Sequence, residues 1–111
     1  MKVRVKDEVY LINFVDHNDP NLFLNGNRCL GVSDYKIKTI FIDESLDPYD
    51  IETTLAHELF HCLFYESGIE LGYDFHSESS VNFLGLNYLD IIKMFKDAGF
   101  IEVYENLYKE F

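Results

Sequence analysis

The sequence predicts an α+β domain in which a small antiparallel sheet of three to four strands packs against two helices. Three observations carry that expectation. Residues 1–43 are rich in β-branched and aromatic runs broken by turn residues. Residues 48–66 form one capped, largely apolar helical stretch, and residues 77–99 repeat apolar side chains at helical spacing. At 111 residues and 48% apolar side chains, the chain is the size of one domain and can bury a core without staples.

Residues 2–6 alternate Val3 and Val5 with Lys2, Arg4 and Lys6, the period of a half-buried strand. Asp7 and Glu8 mark a turn, and residues 9–16 (VYLINFVD) form a second strand paired to the first as a hairpin. Asn-Asp-Pro and Asn-Gly make residues 17–27 a loop. Two short strands follow, at about 29–33 and 37–42, turned at Ser33 to Lys36. The unbroken run Ile40-Phe41-Ile42 belongs to a strand covered on both faces. Asp47 then caps a helix, Pro48 fits its first position, where a missing N–H costs nothing, and Gly68 suits its left-handed stop. Apolar residues surround most of that helix, so it is buried. Ser77 or Ser79 caps the second helix, whose Val81, Leu84, Tyr88, Ile92 and Phe95 recur at helical spacing before Gly99 ends it. Residues 100–111 read as a docked tail.

The net charge of −11 is unevenly spread. Between Lys38 and Lys93 there is no cationic side chain and there are eleven carboxylates. Such a field disfavours nucleic acid and anionic membrane as partners and favours a cation or a basic protein segment. The N-terminus lacks an apolar leader with a cleavage site, and no run reaches the ~18 apolar residues of a membrane span. Cys29 and Cys62, without framework spacing, read as free thiols in a reducing compartment. The expectation is a cytoplasmic protein.

The chemistry is concentrated in residues 57–78. His57, Glu58 and His61 form H-E-x-x-H in the middle of the first helix. Positions i and i+4 share a helix face, so both imidazoles can address one ion. Zinc takes imidazole nitrogen at about 2.0–2.1 Å and prefers four ligands. Glu58, turned by about 100°, suits a base that reaches a water rather than a ligand. A third ligand must come from further along the chain. Glu78, at the start of the second helix, heads the candidates, followed by His76 and then Asp74. Tyr65, Tyr73 and His76 are candidate donors to a developing oxyanion. Asp90 is a candidate acceptor for a ligand histidine. His17, in the turn-rich loop, reads as solvated, and Cys62 as a packing residue.

The stretches TIFIDESLDPYDIETTLAHELFHCLFYESGIEL and ESSVNFLGLNYL resemble small phage-encoded relatives of the ImmA/IrrE-type zinc peptidases. The likeness covers about residues 2 to 95. It implies a zincin-like core in which His57 and His61 bind Zn2+, Glu58 is the base and Glu78 completes the metal site. One position departs from it: Ser77 stands where relatives often carry a second acid. The resemblance further implies a metallopeptidase that cleaves one specific protein, a phage or host regulator, inside a bacterial host. The competing expectation is a zinc-containing acidic protein that sequesters a host factor without catalysis.

Overall fold

The computed structural model describes residues 1–73 and 75–99. Asp74 and the tail from 100 to 111 lie outside the described residues. The elements are β1 (Lys2–Val5), β2 (Glu8–Val15), a 3-10 turn (Pro20–Leu22), β3 (Phe23–Leu24), β4 (Asn27–Arg28), β5 (Gly31–Asp34), β6 (Thr39–Asp43), α1 (Pro48–Glu66) and α2 (Glu78–Asp97). The class is α+β, as expected.

The sheet is mixed, which corrects the antiparallel expectation. Its order is β1-β2-β6-β5. β1 pairs with β2 and β5 with β6 antiparallel, but β2 and β6 run parallel, with Ile12 opposite Ile40 and Phe14 opposite Ile42. The cause is the excursion between them. Residues 16–30 carry the chain to the far edge, β5 runs back, and β6 inserts between β5 and β2. That excursion is more than a loop. Asn25 (φ 53°) and Gly26 (φ 80°) form the two-residue turn of a small hairpin, β3–β4.

All five residues of β6 are buried, which answers to the unbroken apolar run in its sequence. On one face Tyr10, Ile12, Ile40 and Ile42 join Val5 and Cys62 in the core, with Ile51, Leu55 and Leu59 of α1 packed against them. The first helix is capped as its sequence requires: the Asp47 carboxylate accepts from the Asp50 N–H at 2.8 Å, Pro48 takes the first position, and Gly68 has φ 85°. Near its end Glu66 accepts from the Tyr10 hydroxyl and the Lys38 ammonium, both at 2.5 Å. The helix is thereby tied to the sheet at both core and rim. In α2, Ser77 is the cap and accepts from the Ser80 N–H at 3.1 Å.

Two glycines set how closely α1 is pressed from either side. A Cβ at Gly31 of β5 would lie 2.8 Å from Thr54 Cγ2 and 3.1 Å from Glu58 Cγ. A Cβ at Gly85 of α2 would lie 3.3 Å from the His57 backbone. Both glycines therefore hold their elements against the same turn of α1, the one that carries His57 and Glu58.

β6 ends on Asp43, whose side chain is 1% exposed. A carboxylate so placed needs partners. It accepts from the Ser45 hydroxyl (2.7 Å), the Ser45 N–H (2.9 Å) and His17 Nδ1–H (3.0 Å), with Arg28 at 3.5 Å. His17 is thus a partner of a buried acid, although its own side chain stays 45% exposed, as the solvated reading expected. The cluster pins the 16–30 excursion to the end of β6. Burial pushes the Asp43 pKa up, but the hydrogen bonds from Ser45 and His17 outweigh it and hold the carboxyl below its ordinary 3.8. With the folded pKa below the unfolded one, the stability Asp43 contributes is present above about pH 4 and is lost as pH falls through the folded pKa. Asp43→Asn should lower the urea midpoint at pH 6 and flatten its fall between pH 5 and pH 3. Superimposable midpoint-versus-pH curves for the two proteins would contradict this role.

Candidate metal centre

The H-E-x-x-H turn of α1 faces the start of α2 across an open cleft of about 660 Å³. His57 and His61 point their Nε2 atoms at the same spot, 3.1 Å apart. Glu78, in the first turn of α2, brings Oε1 to 3.1 Å from His61 Nε2 and Oε2 to 3.3 Å from His57 Nε2. Capping explains the carboxylate's position. Ser77 is the N-cap, so Glu78 opens the helix, where its charge also complements the helix dipole. Glu78, Asn82 and Gly85, at i, i+4 and i+7, then share the face of α2 that lines the cleft.

Glu58 points to the sheet side of the same cleft. It is buried, and its Oε1 accepts from the Ser33 hydroxyl at 2.8 Å. Its Oε2 stands back from His57 Nε2 at 3.8 Å. Burial drives its pKa up; the Ser33 hydrogen bond and the His57 ring oppose the rise without cancelling it. Burial likewise drives His61 down to about 4, against the attraction of Glu78. His61 is therefore a neutral ring at neutral pH.

These donors fit a divalent cation. His57, Glu58 and His61 each offer a ligand atom within 4.8 Å of the others. Of the two carboxylates, Glu78 lies 3.1–3.3 Å from the two ring nitrogens and Glu58 3.8 Å from His57 Nε2. Tetrahedral zinc with bonds of about 2.0–2.1 Å sets its ligand atoms about 3.3 Å apart, close to the 3.1–3.3 Å found between the rings and Glu78. A neutral imidazole lone pair and a carboxylate oxygen at 3.1 Å repel each other unless a proton or a cation lies between them.

The other residues singled out by sequence fall elsewhere. His76 is fully buried behind His61, with Nε2 at 2.7 Å from His61 Nδ1, so it touches a candidate ligand and does not face the cleft. Tyr65 stacks on Tyr35, with ring centroids 4.1 Å apart, and Tyr73 is exposed. Asp74 lies outside the described residues. Asp90 is exposed on α2, and the hydrogen bond envisaged for it is made by His76 instead. Cys62 is buried, as a packing residue should be, and its thiol is pushed up to about 11, chiefly by burial. Cys29 is also a free thiol and lines the cleft.

Sequence reasoning missed Ser33, Gly31, Gly85 and Tyr35. Ser33, expected where a strand at 29–33 meets a turn, lies within β5, on the same strand face as Gly31, beneath α1. Tyr35 lines the cleft, and burial, reinforced by the nearby Glu58 and Glu78 carboxylates, raises its pKa and keeps the phenol protonated. Glycine two residues before a serine is the only local trace of this arrangement, and it is too common to identify a site.

No family model, curated protein or solved structure matches the chain. No helix among the described residues is long and apolar enough to cross a membrane.

Gly31→Ala should cost about 1–3 kcal/mol of unfolding free energy, the usual range for overpacking. Thr54→Ala in the same chain should restore part of it by removing the methyl that the new Cβ meets. Urea denaturation of the single and double variants checks this. Strict additivity of the two changes would contradict the close approach.

Proposed function

We propose that the chain is a zinc-dependent peptidase of the H-E-x-x-H type, related to the ImmA/IrrE metallopeptidases, that hydrolyses a peptide bond in a protein partner. One observation carries this reading. Two imidazole nitrogens and a carboxylate from a separate helix meet within 3.3 Å, beside a second, buried carboxylate, at the floor of an open cleft. A purely structural metal site closes its coordination with protein ligands and has no use for a neighbouring base.

His57, His61 and Glu78 would hold the ion. When bound, it would supply Lewis acidity for a carbonyl and for water. The remaining steps belong to the chain's own groups. Glu58 Oε2, with Oε1 held by Ser33, takes a proton from the attacking water as the water oxygen bonds to the carbonyl carbon. The same oxygen delivers that proton to the amine as the C–N bond breaks. A raised pKa suits both halves of that exchange. Tyr35, protonated and in the cleft, is a further candidate donor to a developing oxyanion beside Tyr65 and Tyr73. The acidic stretch between Lys38 and Lys93, with no cationic side chain among its eleven carboxylates, favours a substrate segment bearing basic side chains.

Glu58→Gln should leave one zinc per chain in place while peptide hydrolysis falls by about 10²–10⁴. Metal analysis and a peptide-library cleavage assay on the same preparations check both halves. Wild-type protein that binds zinc yet cleaves nothing, with a biological effect indifferent to Glu58→Gln, would instead support the sequestering reading. Zinc content undiminished in His57→Ala would remove the metal assignment altogether.

A further inference from the structure

His76 is the most deeply placed polar side chain beside the candidate centre, and the proposed chemistry does not use it. It is 0% exposed, and its ring lies face to face with Phe64 at 5.0 Å. Both of its nitrogens are engaged. Nδ1 lies 2.8 Å from the Ile69 carbonyl oxygen, which can only accept, so Nδ1 carries a hydrogen. In the neutral ring Nε2 is then a bare acceptor. The atom facing it, 2.7 Å away, is His61 Nδ1, which must be the donor. His61 Nε2 is left with its lone pair outward, toward His57 and Glu78. One backbone carbonyl thus fixes the tautomer of two rings in series.

We infer that His76 is a positioning residue whose ring sets the tautomer of His61 and whose backbone helps set the place of Glu78. This inference rests on the metal reading above and deepens it. In water a neutral imidazole prefers its hydrogen on Nε2, the nitrogen that here has to be bare. The relay removes that choice before any ion arrives. Its second effect runs through the backbone. The His76 carbonyl accepts from the Gly72 N–H at 2.7 Å, and the His76 N–H donates to the Tyr73 carbonyl at 3.0 Å. Its ring holds Ile69, just beyond the end of α1. The connection between the helices is therefore gathered around His76. Two residues later Glu78 opens α2 and reaches His57 and His61. A candidate ligand on α1 is set by the ring of this buried residue, and one on α2 by its backbone. Partners of this kind orient metal-binding histidines and typically change affinity by 10–100-fold when removed.

The test compares His76→Phe with His76→Gln. Phenylalanine keeps the aromatic packing on Phe64 but removes both hydrogen bonds. Glutamine loses the ring but can place its amide oxygen where Nε2 was and accept from His61 Nδ1–H. Zinc affinity, measured by chelator competition, should fall by about 10–100-fold in His76→Phe and recover in large part in His76→Gln. A space-filling role predicts the opposite order. Long-range ¹H–¹⁵N spectra of the metal-free wild type should show Nδ1–H tautomers for both His61 and His76. In His76→Phe, the His61 signal should move toward Nε2–H. An Nε2–H tautomer for His61 in the wild type, or zinc affinity in His76→Phe within twofold of the wild type, would overturn the inference. Should His76→Phe not fold, the wild-type spectra and the glutamine variant still decide. Wild-type protein that binds no zinc would defeat the parent reading instead, and the metal-free spectra keep that outcome distinct.

Discussion

Helix α1 is gripped at the level of His57 and Glu58 by two glycine backbones that approach so closely that an added Cβ would crowd it. Gly31 of β5 presses on Thr54 and Glu58 from the sheet, and Gly85 of α2 presses on the backbone of His57. That grip makes the other features compatible. It brings Ser33 within reach of the Glu58 carboxylate. It brings the first turn of α2, and with it Glu78, within about one zinc coordination sphere of both rings. It also leaves an opening between β5 and α2, with Tyr35 on its wall, rather than a filled core.

Burial and charge pull against each other in this region. Apolar surroundings raise the Glu58 pKa and lower that of His61, so each of the two resists its charged form. Beside them Glu78 is open to water, 61% exposed at its side chain. A buried neutral ring, a buried acid and a solvated carboxylate around one point make a poor ion-pair network but a good set of donors for a cation approached from the cleft. At the end of β6 the opposite solution holds. Asp43 is just as buried but is surrounded by Ser45, His17 and Arg28, and it stays ionised as part of the fold.

Local signals were legible in the sequence and relations between distant residues were not. The ends of α1 follow from Asp47, Pro48 and Gly68, because capping is decided within a few residues. The start of α2 follows from Ser77 in the same way. His57 and His61 follow from helical spacing alone. The parallel pairing of β2 with β6 was hidden, since it depends on where a 23-residue connection, from Asp16 to Lys38, carries the chain. Hairpin β3–β4 announced its Asn-Gly turn, but strands of two residues are too short to show alternation. Ser33 could be placed at the end of a strand, but its role was hidden because its partner, Glu58, is 25 positions away. His76 was legible as a histidine near the site. Whether such a ring binds an ion or stands behind one that does depends on the Ile69 carbonyl, which no side-chain pattern reveals.

Zinc K-edge X-ray absorption on the protein loaded with one equivalent of zinc tests the central claim most directly. The account predicts two imidazole nitrogens with light oxygen donors at about 2.0–2.1 Å and no sulfur, and the loss of one imidazole in His61→Ala. A shell of oxygen alone, a sulfur scatterer from Cys29, or an imidazole count unchanged by His61→Ala would contradict it.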